Sequence, residues 1–229
     1  MSQPARPARE RILAAAVRRI AREGMEGVRI ARIAMDAGVS PALVHYHFAT
    51  REALLAEALD YSYNYAEERR ISSGSEIATS HAERLEAMLE GCLPTSPELH
   101  DDWLLWVELW HQAARNEQLR PFAGELYSRL HAWFADEIAA GVAAGEFARC
   151  DPDEVGDRIL ALLDGVGVRT IIGDPQMSLA RARQTVRAAV AHELGLSVSP
   201  AGLAEAPEPV LHRQEVGMRL IPRSTAQRS

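Results

Sequence analysis

Apolar residues recur at three- and four-residue intervals through most of the chain, the spacing that builds one face of an α-helix. Ile12, Leu13, Ala16 and Ile20, with Val17 at the margin, predict a helix over 9–23 that Gly24 closes. Ile30, Ile33 and Ala34 predict a short second helix over 30–37, stopped by Gly38. Ser40-Pro41 then offers a cap and a first-turn proline for a third short helix over 41–48. Thr50 can cap a fourth, running from Glu52 to about Arg70. ISSGSE at 71–76 predicts a break, and LPTSP at 93–97 a turn. Around them, helices are expected over 77–92, 98–116, from Gln118 or Pro121 to 144, over 153–172 and over 178–194. No β-type alternation of useful length occurs. The expected fold is all-α, a three-helix head over 1–51 followed by a helical body over 52–196. Residues 197–229 carry four prolines without a sustained apolar stripe and are expected to be disordered.

Charge divides along the same line. Residues 1–51 hold nine arginines against four acids, a balance of +5, inside a chain whose net charge is −7. A basic head on an acidic body suits a phosphate-facing unit with a separate sensing unit, although arginines on solvated helix faces give the same count. Two cysteines, Cys92 and Cys150, with no CxxC spacing, support neither a disulfide framework nor a zinc site. No apolar run suffices for a membrane span, and MSQPARPARE lacks the apolar stretch of a signal peptide. The expectation is a cytoplasmic protein with no membrane partner.

Two short helices joined by a Gly38 turn, on a basic unit, form the helix-turn-helix pattern. In PALVHYHF, Val44 and Phe48 stand four apart and can face the core, leaving Ala42, Leu43, His45, Tyr46 and His47 on the other faces. Such a helix can enter a DNA major groove, with imidazoles and phenol donating to phosphate and Leu43 touching a thymine methyl. Ser40 and Pro41 open that helix, and Arg51 can reach backbone phosphate. His45 and His47 are two apart, do not share a helical face, and make no expected metal site.

The stretch from about Arg9 to Ala58 resembles the N-terminal domain of the TetR family of tetracycline-repressor-like regulators. Ile33-Ala34, Ala37-Gly38-Val39-Ser40, Tyr46-His47-Phe48 and Arg51-Glu52-x-Leu54-Leu55 carry the match in order and spacing. The departures are Arg29, where the family usually has Thr, Ala42-Leu43 for its common Gly-Thr, His45 for Tyr, and Arg51 for Lys. Trp103 to Gly195, through WVELWHQAARNEQLRP and GVAAGEFARCDPDEVGDRILALLDGVGVR, resembles the body of the choline-responsive betaine-pathway repressor branch. These resemblances imply a ligand-responsive transcriptional regulator, most often a repressor, binding a pseudo-palindromic operator as a homodimer and released by a small-molecule effector. They place the ligand pocket in the body and the dimer contact on its last two helices. Val155, Ile159, Leu162, Leu163, Val166 and Ile171 with Gly156, Gly165 and Gly167, and then Val186, Ala189, Val190 and Leu194, supply apolar stripes there. The same stripes can instead fill the chain's own core.

Trp103, Trp106 and Trp110 share a helical face, Tyr61 and Tyr65 share another, and Trp133-Phe134 lie with Tyr127 on the following helix. Such a stripe ordinarily fills a core. With a nearby acid such as Asp102 it can also hold a cationic or aromatic ligand. Tyr65, Asp102, Trp103, Trp106, Trp110 and Trp133 are therefore the candidate ligand residues, while Glu108 projects away from the tryptophans. No GxSxG, HExxH, P-loop or dinucleotide motif is present, so neither enzyme activity nor a cofactor is expected. The other readings left open are a helical dimer whose head serves protein contacts without DNA binding, and a helical enzyme.

Overall fold

A computed structural model describes the backbone of residues 7–75, 78–117 and 119–196, and the side chains of that set except 65–75. The expectation of a disordered tail over 197–229 lies outside the described residues. Those described form nine helices and no strand: α1 Ala8–Gly27, α2 Ile30–Ala37, α3 Pro41–His47, α4 Arg51–Ser75, α5 His81–Gly91, α6 Pro97–Ala113, α7 Arg120–Ala143, α8 Pro152–Ile171 and α9 Leu179–Leu194. No described helix is long and apolar enough to cross a membrane.

Local chemistry sets most boundaries. Gly24 breaks α1 with a left-handed φ of 68°, and a last turn carries the element on to Gly27. Gly38 ends α2 at φ 64°, its N–H on the Met35 carbonyl at 3.1 Å. Ser40, Thr50, Ser80, Ser96 and Ser178 each accept from a backbone N–H three residues on, and Asp151 caps α8 through Asp153 and Glu154. Two expectations need correction. The helix expected from 77 begins at His81, because Ser80 caps it and Glu83 reaches back to the Thr79 amide at 2.6 Å. Those bonds hold the Glu83 carboxyl below its usual range, the Thr79 hydroxyl first. The break expected at 71–76 is absent through Ser75. Ser and Gly cost up to about 1 kcal/mol each in a helix, and a helix already nucleated propagates through them.

Apolar packing forms two clusters. The first joins α1, α2 and α3 to Leu54, Leu55, Ala58, Leu59 and Tyr63 of α4 and continues into Leu105, Leu109 and Ala113 of α6. The head's core thus runs past residue 51 into the linking helix and on into the body. The second cluster packs α5, α7, α8 and α9 around Phe134, Ile138, Ile159, Val186 and Leu194. Val155, Ile159, Leu163 and Val166 of the α8 stripe are buried here, within the chain itself. Gly156 lies against His131 and Gly167 against Trp103, so these glycines permit close approach inside the protomer. Ala161 and Gly165 are exposed on α8 among the charged Asp157, Arg158 and Arg169, and Ile172 is exposed just past its end.

A Cβ at Gly167 would meet the Trp103 ring at 2.0 Å, whereas one at Gly124 on α7 would meet nothing within 4 Å. Gly167→Ala is expected to cost about 1–3 kcal/mol through overpacking. Gly124→Ala should add about 0.5–1 kcal/mol by removing backbone entropy from the helix. Urea unfolding of the two variants checks both signs.

Candidate functional site

The head is assembled by charge pairs as well as by its core. From α1, Arg19 grips Asp36 of α2 with two nitrogens at 2.6 and 3.0 Å, and also Glu23. Arg19 holds both carboxyls below their usual range. Arg9 pairs with Glu57 and covers the Phe48 ring at 5.5 Å. Inside this frame Val44 and Phe48 are buried, as their spacing predicts. The opposite face of α3 presents Pro41, Ala42, His45 and the 82% exposed Tyr46, with Leu43 and His47 half-buried beside it. The Tyr46 and His47 rings meet edge to face at 5.3 Å. Ser40 spends its oxygen on the α3 cap, and Arg29 stands exposed before α2 without capping it. Arg29, His45 and Tyr46 are thus all open to solvent.

Arg51 takes a different place from the one expected. Its guanidinium turns inward, donating to the Val28 carbonyl at 3.1 Å and to the Met25 carbonyl. The turn after Gly24 has left the helical ladder and leaves these carbonyls without helical donors. A fork of N–H groups at the start of α4 satisfies two of them at once, which engages the group that sequence assigns to phosphate.

The other side of the same turn is held from the body. Met25 donates its N–H to Glu108 Oε1 of α6 at 3.1 Å, and Gln112 supports that oxygen at 3.0 Å. Glu108 does point away from the tryptophans, as its position predicts. That direction docks the head.

The tryptophan face of α6 borders a cavity closed by α7, α8 and the turn after α5. Asp102, Trp103, Trp106 and Trp110 all line it, together with Tyr127, Asp164, Cys92 and Leu163. The cavity is small, about 40 Å³. Trp106 meets Trp110 at 6.0 Å and Tyr127 at 5.8 Å, and Trp110 stacks on Tyr127 at 6.3 Å and 17°. The Trp103 N–H is satisfied by the Cys92 carbonyl at 3.0 Å. The Trp110 N–H is buried with no hydrogen-bond partner among the described residues; it lies near enough to the Tyr127 hydroxyl to counter that group's upward pKa shift slightly. Asp102 accepts from Ser62 at 3.3 Å and also borders a smaller cavity against α4.

Two expected ligand residues do not join this set. Trp133 packs on Phe134 at 5.2 Å in the second apolar cluster, away from the cavity. The side chain of Tyr65 lies outside the described residues. Two residues were missed as site residues. Tyr127 donates to Asp164 at 2.6 Å, and burial pushes both groups above their usual pKa. The available signal was Asp164 itself, a lone acid inside the apolar run ALLDGVGV.

Comparison with known proteins follows this division. Residues 12–58 match the family described as bacterial regulatory proteins, tetR family. Residues 81–195 match the C-terminal domain of BetI-type transcriptional repressors. The HTH-type transcriptional regulator BetI of Rhizobium meliloti (strain 1021) is 26% identical over 174 residues, which is 75% of this chain and 81% of that protein. A transcriptional regulator from Saccharomonospora viridis, solved in complex with choline, superposes with a TM-score of 0.75 at 35% identity over 82% of this chain and 97% of that one. A protein from Rhodococcus sp., described as a TetR-family regulator, gives 0.73 at 32% identity over 82% and 98%.

Arg51→Ala is expected to lower stability by about 1–3 kcal/mol, because it leaves the Met25 and Val28 carbonyls short of a donor. Tyr46→Ala should leave stability within about 0.5 kcal/mol of the parent. Chemical denaturation of both variants tests the division between a structural arginine and an exposed tyrosine.

Proposed function

The chain belongs to the TetR family of bacterial transcriptional regulators, with a BetI-type C-terminal domain, and from that premise we propose that it is a homodimeric repressor released from its operator by choline or a close quaternary-ammonium relative. The observation that carries the effector class is the cavity. Three tryptophans and a tyrosine surround it and two carboxylates line it, with no basic side chain among the described residues of its walls. Aromatic faces attract a weakly hydrated cation through their quadrupoles, and a carboxylate adds direct charge attraction. The unbonded Trp110 N–H offers a donor to an acceptor oxygen on the ligand. Its relative from Saccharomonospora viridis, holding choline, supports the same chemistry.

The reading head is assigned to residues 1–51 and the sensing body to 52–196, with α4 and α6 shared between them. Arg29 and Ser40, Pro41, Ala42, Leu43, His45, Tyr46 and His47 are the residues assigned to DNA. Arg51 serves there by holding the turn that leads into α2. Because one helix-turn-helix reads only a few base pairs, two heads about 34–36 Å apart, on successive major grooves, give operator specificity. The exposed Ala161 and Gly165 of α8, with Ile172 just past its end and α9 beside them, are the surface assigned to the partner copy. The cytoplasm, where the operator lies, is the compartment assigned.

Ligand control follows from α6 having two occupied faces. One lines the cavity, and the other holds the Met25 amide through Glu108. An effector that repacks the tryptophans displaces α6, and the head follows at Glu108 and along α4. The effector acts only as far as it binds the released conformer more tightly than the DNA-bound one.

The purified protein should select genomic fragments bearing a short inverted repeat, bind them more weakly as salt rises, and let go on addition of choline. Tyr46→Ala should weaken operator binding by about tenfold or more while leaving the dimer folded. Binding indifferent to sequence, or an operator complex untouched by choline, would overturn the repressor or the effector assignment respectively.

A further inference from the structure

Asp164 has no role in head docking or in the fold's charge pairs. It sits on α8 in the cavity wall, and its hydrogen bond among the described residues comes from the Tyr127 hydroxyl at 2.6 Å. The titratable and charged groups that face the same cavity are Asp102 from α6, Tyr127 from α7 and the Cys92 thiol from the turn after α5. None is a cation. Burial pushes the Asp164 carboxyl upward, Tyr127 offsets part of that, and no charged side chain contributes. The fold therefore holds an acid beside an aromatic cage and leaves the opposite charge to come from elsewhere.

We propose that Asp164 is the group that reads the ligand's positive charge, so that cation binding and ionisation of this carboxyl are one linked event. This rests on the quaternary-ammonium reading above and adds to it a specificity residue and a pH dependence. A permanent cation in the cage favours the carboxylate, and a proton held by Asp164 in the free protein passes to buffer as the ligand enters. No covalent bond changes. The Tyr127 hydroxyl stays as donor to the carboxylate and fixes where the charge sits. Asp102 is placed differently, being shared with Ser62 and the second cavity.

The sign is fixed by the direction of the shift. An acid with a raised pKa is protonated over a wider acidic range, so cation affinity climbs with pH by up to about tenfold per unit below that pKa and then levels. The free protein behaves oppositely. The unfolded carboxyl, near 3.8, ionises first, so stability present below that value falls as pH rises through the folded pKa. Asp164→Asn removes that loss, and near neutral pH the variant should unfold no earlier than the parent.

The test uses the full-length protein and tryptophan fluorescence from about pH 4 to about pH 8. The probes are choline and its neutral carbon isostere, in which a tert-butyl group replaces the trimethylammonium. Neither probe titrates in that range. The expected result is choline affinity that rises with pH in the parent, proton release seen by calorimetry in buffers of different ionisation enthalpy, and no such rise for the isostere. In Asp164→Asn the pH slope should vanish and choline should weaken by tenfold or more, by about the cost of a lost ion pair in a partly buried site, while isostere affinity is kept. An Asp164→Asn variant that binds choline as the parent does would overturn the assignment and leave the effector class standing, whereas equal, flat profiles for the two probes would overturn both. Failure of the parent to bind either probe would overturn both.

Discussion

The hydrogen bond from the Met25 amide to Glu108 ties the head to α6 at the edge of the apolar core that α1 shares with α4 and α6. It exists because Gly24 adopts a left-handed conformation that no side-chain-bearing residue takes without strain, ending the regular helix and freeing the next amide. Arg51 fastens the same turn from α4 by its carbonyls. A single turn of backbone is thus gripped by its donor side from α6 and by its acceptor side from α4. The chain then runs straight into α2 and α3. Whatever moves α6 or α4 acts on the helix-turn-helix through this joint and through the apolar core packed beside it.

The same geometry explains why one helix can serve two ends. Successive positions on α6 are turned about 100°, so Trp103, Trp106 and Trp110 collect on one side while Glu108 falls nearly opposite Trp106. The cage side is tightly built. Trp103 reaches α8 only because Gly167 leaves it room, and its N–H is anchored on Cys92. Trp106 and Trp110 are held mainly by ring contacts with each other and with Tyr127. A small cavity walled by close-packed rings accommodates a ligand by moving those rings. Packed interiors respond to such displacement as rigid bodies.

Much of this was legible in the chain. The Ser40-Pro41 and Asp151-Pro152 caps, the Gly38 stop and the Val44/Phe48 pair fixed the helix-turn-helix and several body helices, because those signals act over a few residues. Ser80 and Glu83 carried a capping box that corrects the start of α5, and apolar periodicity alone obscured it. What sequence could not supply were pairings between distant segments. Arg51 reads as a phosphate ligand until the Gly24 turn is seen to need its fork, and Trp133 reads as cage until α7 turns it into the second cluster. Asp164 was hidden by its neighbours. In ALLDGVGV the apolar periodicity points to core and partner contact, and only the folded position of Tyr127 shows that the acid faces a cavity.

The most direct measurement compares operator affinity with and without saturating choline in the parent and in Glu108→Ala, with choline binding followed separately by tryptophan fluorescence. If α6 works the head through the Met25 turn, Glu108→Ala binds choline as the parent does, yet the ratio of the two operator affinities falls toward one as the coupling free energy is lost. An unchanged ratio in a variant that still binds choline and operator would contradict the account, and would place the coupling on the apolar contacts of the head with α4 and α6.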